Sequence, residues 1–273
     1  MAARYSVVIP TLNEEKFLPK LLSSLAVQTD RNFEVIVVDG SSKDKTVAVA
    51  KTYAKKLPKL TVLVSKKASL PLQRNLGAKE ARGEWLIFVD ADSIFLPYFI
   101  DRCTAFIETS HPELFTTWFR PDNEEPKDSV YTLFTNIFIE STLIFKRPMA
   151  PGPLTIVTRT AYDLVGGYDE EHAFHEDVDF GQRLFKAGIS LEILHETLCV
   201  WSLRRFRKEG TLKVLNQYVV GLLPMVFMNK SFKTMPGYIM GGHLYTKKRR
   251  SRVTKTLKSY EKVVKRFAKE LFE

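Results

Sequence analysis

The sequence predicts an α/β fold around an open, mostly parallel sheet, and three observations carry that expectation. Strand-like and helix-like segments alternate as a βαβαβαβ series from Tyr5 to Val89. The strand-like pieces, such as Val35-Ile36-Val37-Val38 and Leu86-Ile87-Phe88-Val89, are continuous apolar runs. Such runs suit strands covered on both faces. The last run stops at Asp90-Ala91-Asp92, which puts two carboxylates at the end of a buried strand, where open α/β sheets present ligands.

Tyr5-Ser6-Val7-Val8-Ile9 is the first strand, closed by Pro10-Thr11-Leu12-Asn13 before a helix with Leu18, Leu21, Leu22 and Leu25 on one face. Phe33 to Val38 is the second strand, Asp39-Gly40-Ser41-Ser42-Lys43 a loop, and Asp44 a cap for a helix carrying Val47, Ala50 and Tyr53. Leu60 to Val64 is the third strand. A helix from about Pro71 to Ala81 leads through Arg82-Gly83 into the strand that bears Asp90. The first strand is followed by Pro10-Thr11-Leu12-Asn13-Glu14-Glu15 rather than a glycine-rich phosphate loop, which argues against a dinucleotide fold and a P-loop.

Beyond Asp92 the alternation stops. A helix is expected around Pro97 to Ile107, and Trp118-Phe119-Arg120-Pro121-Asp122-Asn123-Glu124-Glu125-Pro126-Lys127 reads as an exposed loop. Tyr131, Phe134, Phe138 and Phe145 then recur at helical spacing. Core packing is the default reading of such a stripe, and a groove for an apolar acceptor the sharper one. Leu154-Thr155-Ile156-Val157 resumes strand character, Gly166-Gly167-Tyr168-Asp169 is a turn, and Phe174-His175-Glu176-Asp177-Val178-Asp179-Phe180 leads into a helix ending near Gly188. Two strand-like pieces, Leu191 to Leu194 and Leu198 to Trp201, precede Arg204-Arg205-Phe206-Arg207-Lys208 and two helical segments. The expected domains are therefore 1–202, with halves 1–92 and 93–202, and a basic helical extension over 203–273.

With 41 basic against 31 acidic residues the chain carries a net charge of +10, which favours an anionic partner. Cys103 and Cys199 are too few for a disulfide framework and lack metal-ligand spacing, so reduced thiols in a cytosolic protein are expected. The opening Met1-Ala2-Ala3-Arg4-Tyr5 leaves no room for the apolar segment of a signal peptide, and the apolar run Val219 to Met228 is broken by Pro224 and shorter than the ~20 residues that span a bilayer. A cytoplasmic protein is expected on these grounds.

Several blocks of the sequence resemble glycosyltransferase family 2, the inverting sugar-nucleotide transferases with the GT-A fold. The resemblance extends over roughly Ser6 to Phe206. Val8-Ile9-Pro10-Thr11-Leu12-Asn13-Glu14-Glu15 is similar to that family's first-strand signature, and Val37-Val38-Asp39-Gly40-Ser41-Ser42-Lys43-Asp44-Lys45-Thr46 to its second. Gln73-Arg74-Asn75-Leu76-Gly77-Ala78 with Gly83-Glu84 and Asp90-Ala91-Asp92 is similar to the third block, and Gly167-Tyr168-Asp169 with Glu176-Asp177-x-Asp179 to the acceptor-side block. Four blocks agree in order and spacing. The Gln-x-x-Arg-Trp motif of processive members is absent where Trp201-Ser202-Leu203-Arg204-Arg205 stands. That departure argues for single-sugar transfer.

The residues support roles beside the resemblance. Pro10, Thr11 and Glu15 follow the first strand and Asp39 the second, so adjacent parallel strands bring them to one crevice. Asp39 is suited to accept a base N–H, and the resemblance implies a base contact there. Arg74 is placed for a diphosphate, since guanidinium donors fit phosphate oxygens, although a helix-surface arginine is the bland reading. Asp92, and less directly Asp90, are candidate ligands for Mg²⁺ or Mn²⁺, the hard cations that accompany diphosphates. Asp90 is equally placed for the ribose. Asp177 is the candidate base, on its match to the family's position and its place opening a helix after a turn; Asp179 and Glu176 are runners-up, and helix capping is the structural alternative. His175 and His195 stay outside the metal set, and Arg204 or Arg205 is a further candidate for the diphosphate.

From Lys247 to Lys265 nine lysines and arginines surround an apolar stripe of Val253, Leu257, Tyr260, Val264, Phe267 and Leu271. Docking on the main domain, an anionic membrane surface and nucleic acid are its three readings, with nucleic acid last. The expected function is metal-dependent inverting transfer of one sugar from a UDP- or GDP-sugar to a glycan or lipid-linked acceptor, with peripheral contact at the inner face of the membrane. A nucleotidyltransferase making a nucleotide sugar, and a non-catalytic nucleotide-sugar-binding protein, are the alternatives.

Overall fold

The computed structural model describes residues 3–172, 175–210 and 214. In chain order the elements are β1 (Tyr5–Thr11), α1 (Leu18–Ala26), β2 (Phe33–Asp39), α2 (Thr46–Lys51), β3 (Leu60–Val64), α3 (Leu70–Glu80), β4 (Trp85–Val89) and β5 (Ile94–Phe95), followed by α4 (Phe99–Ser110), β6 (Leu114–Pro121), α5 (Pro126–Ile144), β7 (Leu154–Thr158), α6 (Arg159–Leu164), α7 (Glu176–Lys186), β8 (Leu191–Trp201) and α8 (Arg204–Glu209). All the strands join one sheet in the order β3-β2-β1-β4-β7-β6-β8-β5. The pairs β3-β2, β2-β1 and β1-β4 are parallel, and so is β6-β8; β4-β7, β7-β6 and β8-β5 are antiparallel. The sheet is therefore parallel in its first half and mixed beyond β4.

The apolar runs explain the first half. Every residue of β1, β2 and β4 is buried, as strands covered by helices on both faces require. Helix α3 opens with Pro71 in its first turn, where a missing N–H costs no helical hydrogen bond. It then lies close on β1 at Gly77, where an added Cβ would stand 2.3 Å from a Val8 methyl carbon. Register places Thr11 opposite Asp39, so the ends of β1 and β2 share one rim.

The second half corrects three expectations. Trp118 to Pro121 is not loop but the end of β6, paired with β8 through Trp201 across register shifts at Trp118. Leu191 to Trp201 is likewise one strand rather than two pieces. In both places turn-like residues masked a strand whose partner lies far along the chain. The aromatic stripe of α5 is not core: Phe134 and Phe145 are exposed, and Tyr131 and Phe138 are half-buried. No described helix is long and apolar enough to cross a membrane. The basic stripe beyond Lys247 lies outside the described residues.

Candidate active site

The rim is built from the loops that leave β1, β2 and β4. Asn13 and Ser41 take positive φ values of 55° and 62° just past β1 and β2, backbone states that L-residues hold only under tertiary constraint. The constraint is visible: Asn13 N–H donates to Ser42 Oγ at 2.7 Å, and Asn13 Oδ1 accepts from Lys43 N–H at 2.8 Å. Asp39 is buried between the loops. It accepts from Thr11 Oγ1 at 3.2 Å, from Ser42 Oγ at 2.5 Å and from Ser42 N–H at 2.8 Å. From α3, Gln73 Nε2 donates to the carbonyls of Thr11 and Val38 at 2.9 and 2.7 Å, locking the two strand ends. Pro10 is buried in β1, and Glu15 is half-buried, its Oε2 accepting from Lys45 N–H at 3.0 Å.

After β4 the chain turns. Ser93 N–H donates to the Asp90 carbonyl at 3.0 Å, closing Asp90 to Ser93. The two carboxylates then meet different cations. Asp90 Oδ1 lies 3.5 Å from Arg74, a long contact, whereas Asp92 Oδ2 lies 2.8 Å from Arg204 Nε. Arg204 also clasps Glu14, at 2.7 Å to each oxygen, and stacks 4.2 Å over the Phe17 ring. Burial pushes the Glu14 carboxyl up to about 7 against the opposing Arg204 bond and charge. Burial also raises Asp90 to about 7, with Arg74 opposing, and raises Asp92, with Arg204 opposing.

Arg74 differs from its expected place. It lies beneath the rim, 1% exposed, with Nη1 3.0 Å from Glu176 and Nη2 3.0 Å from the Gly152 carbonyl. Its guanidinium sits 5.0 Å from the Tyr168 ring centre. Both terminal nitrogens are thus engaged by the protein, and the sequence signal missed this because a helical position does not reveal which neighbours cover it. Neighbouring Asn75 holds the glycine turn, accepting from Tyr162 Oη at 2.7 Å and Tyr168 N–H at 2.9 Å and donating to the Tyr168 carbonyl at 2.8 Å.

The three acids at the head of α7 separate by partner. His175 precedes the helix with φ 61°, which turns the chain into it. Glu176 is buried against Arg74; burial raises its carboxyl, Asp177 adds to the rise and Arg74 opposes it. Asp179 pairs with Arg183 at 2.7 Å. Its oxygen also lies within 4.8 Å of ligand atoms of Asp169 and His172. Within that group His172 Nδ1 lies 2.8 Å from Asp169. Asp177 is half-buried and accepts from Gly152 N–H at 3.1 Å and Val178 N–H at 2.9 Å. Gly152 therefore joins the two halves: its N–H meets Asp177 and its carbonyl meets Arg74, which reaches Asp90. A Cβ at Gly152 would lie 3.1 Å from Asp177 Oδ2.

The donor chemistry fits a hard divalent cation. Asp90 keeps a third of its side chain exposed, and Asp92 already carries a positive partner in Arg204. Both offer carboxylate oxygens, the ligands Mg²⁺ and Mn²⁺ take. Glu14, Arg204 and Gly152 belong to the constellation as much as the expected residues do. The Glu14–Arg204 pair joins positions 190 apart in sequence, and Gly152 carried no motif.

An open sheet with a parallel nucleotide-type half, a rim of acids and a mixed second half defines a GT-A fold. The family described as glycosyl transferase family 2 matches residues 6–163, and the chain belongs to that family. Poly(ribitol-phosphate) beta-N-acetylglucosaminyltransferase TarS of Staphylococcus aureus is 28% identical over 207 residues, covering 74% of this chain but 36% of that protein. The chain thus spans about a third of that relative's length. A PGL/p-HBAD biosynthesis glycosyltransferase of Mycobacterium bovis is 30% identical over 198 residues, covering 67% of this chain and 70% of that one. Among solved structures, S. aureus TarS 1-349 in complex with UDP-GlcNAc superposes with a TM-score of 0.63 at 21% identity, over 84% of this chain and 73% of that one. The mannosyltransferase PcManGT from Pyrobaculum calidifontis, in complex with GDP-Man and Mn2+, gives 0.61 at 19%, over 80% and 64%. At these identities the structures speak for the fold.

Proposed function

We propose that this protein is a metal-dependent, inverting glycosyltransferase that moves one sugar from a nucleoside-diphosphate sugar to an acceptor hydroxyl. The observation that carries the reading is the Gly152 junction, which ties the half-buried Asp177 to Arg74 and Asp90 on the strand rim. Residues 1–92 serve the nucleotide and 93–202 the acceptor, with 203–273 an extension. Family membership and the UDP-GlcNAc and GDP-Man of the superposing structures support a UDP- or GDP-sugar donor.

In this reading Thr11 and Asp39 receive the base, with Pro10 and Glu15 shaping the crevice wall. Asp92 and Asp90 hold Mg²⁺ or Mn²⁺, which when bound offsets the charge of the departing diphosphate. Arg74 acts as a positioning residue that fixes Asp90 and Glu176 from below. Asp177 accepts the acceptor hydroxyl's proton as the acceptor oxygen bonds to the anomeric carbon. The bond from that carbon to the phosphate oxygen breaks on the opposite face, and the nucleoside diphosphate leaves with the electron pair. In-line displacement inverts the anomeric centre.

The acceptor is a glycan or a lipid-linked molecule. The basic balance of the chain supports work in the cytoplasm at the inner face of an anionic membrane. The test is turnover of UDP- and GDP-sugars with Mn²⁺ and candidate acceptors. Release of nucleoside diphosphate, lost on Asp177→Asn with nucleotide binding kept, supports the reading. Release of pyrophosphate from a nucleoside triphosphate would make the protein a nucleotidyltransferase instead.

A further inference from the structure

We infer that the outward face of α5 is the surface by which this protein lies on an anionic membrane. This deepens the membrane contact proposed above and rests on that part of the reading, not on the transfer chemistry. Helix α5 is amphipathic in the inverted sense. Its polar residues Asp128, Thr132, Asn136 and Thr142 are buried, while Val130, Leu133, Phe134, Ile137 and Ile144 are exposed, and Phe145 follows at the helix end. Phe134 is 66% and Ile144 80% exposed. These six make up most of the ten large hydrophobic side chains exposed among the described residues, so they form a patch rather than the usual scatter.

The inward face accounts for the inversion. Asn136 donates to the Phe119 carbonyl and accepts from its N–H, each at 3.0 Å. Glu140 accepts from Trp118 Nε1 at 2.8 Å, and Asp128 pairs with Arg207 at 3.0 Å. Polar groups thus dock α5 on β6 and α8, and the apolar side is left outward. Steps of three, four and seven residues keep that side in one stripe, about 22 Å long at 1.5 Å per residue.

The stripe's chemistry selects a bilayer. From Ser129 to Phe145 the one charged residue is Glu140, which faces inward onto Trp118 and His195. Immediately beyond stand Lys146, exposed, and Arg147, half-buried. Phenylalanine and isoleucine along a surface, with cations at its end on a chain of net charge +10, match acyl boundary and anionic headgroups together. Since no described helix is apolar enough to span, α5 lies on the surface rather than through it.

The full chain is sedimented with vesicles of phosphatidylcholine alone and of phosphatidylcholine with phosphatidylglycerol. The wild type is expected to bind the mixed vesicles, less so as salt rises. Phe134→Glu with Ile137→Glu should weaken that binding by about tenfold or more, given the apolar area withdrawn, with nucleotide binding unchanged. Ile137→Trp is expected to shift its emission to the blue on the mixed vesicles only. Wild-type protein that ignores both vesicles overturns the membrane contact itself. If the double variant binds like wild type while glutamine at Lys247, Lys248, Arg249 and Arg250 abolishes binding, the α5 assignment falls and the extension alone is responsible. A wild-type dimer that the double variant dissolves, without vesicle binding, reassigns the face to a second copy of the chain.

Discussion

Arg204 Nε lies 2.8 Å from Asp92 while its terminal nitrogens clasp Glu14, so one guanidinium holds two largely buried carboxylates at the strand rim. Arg204→Gln would leave both acids without their cation. The cost expected for a broken buried pair is about 3 kcal/mol, read as a lower midpoint in urea. Because a divalent cation would neutralise Asp92, Mn²⁺ should restore more of that loss in the variant than it adds to wild type. Equal Mn²⁺ effects in both proteins would remove Asp92 from the cation site.

Glu14 gives a pH signature. Burial raises its carboxyl from 4.5 to about 7, with Arg204 opposing, so the folded state binds more protons than the unfolded state between these values. Stability therefore falls as pH rises from about 4.5 to about 7 and stays low above. The contribution is on the order of 3 kcal/mol. Glu14→Gln should flatten this part of the profile in urea titrations at successive pH values; a profile as steep as wild type would count against it.

Asp177→Asn keeps the shape of the side chain and removes the proton acceptor. Turnover should drop by about 10² to 10⁴, the range of a lost general base, with the nucleotide dissociation constant unchanged by calorimetry. Asp179→Asn should cost far less turnover, since Asp179 is held by Arg183. If Asp179→Asn proves the more damaging, the base assignment moves to it.

Asp39 and Asp92 should separate nucleoside from metal. Asp39→Ala is expected to weaken nucleoside diphosphate binding by about 1–3 kcal/mol, the range for an unmatched polar partner, and to leave Mn²⁺ paramagnetic signals of the free protein unchanged. Asp92→Ala should do the reverse with Mn²⁺ alone. A shared effect would mean the two acids serve one ligand.

Gly77→Ala tests the close approach of α3 to β1. A Cβ there falls 2.3 Å from a Val8 methyl carbon, so overpacking should cost about 1–3 kcal/mol. Gly166→Ala meets no atom within 4 Å but sits at φ +73°, and should cost about 1–2 kcal/mol through backbone strain alone. Equal melting points for both variants and wild type would contradict the packing described.

The sequence alone determined the first half of the sheet and its rim. Apolar runs of strand length separated by helical periodicity can fold in few ways, and parallel neighbours bring Thr11 and Asp39 together by register alone. The acids after β4 were legible for the same local reason. Only the tertiary structure decided what those groups touch. Trp118 to Pro121 is a strand because β8 pairs with it from far along the chain. Arg74 is buried because Gly152 and Glu176 close over it, and Arg204 meets Glu14 from 190 positions along the chain. Periodicity revealed a stripe on α5, but a helical period does not say which side meets protein. The hydrogen-bonding groups of β6 took the polar side, and so turned Phe134 and Phe145 outward.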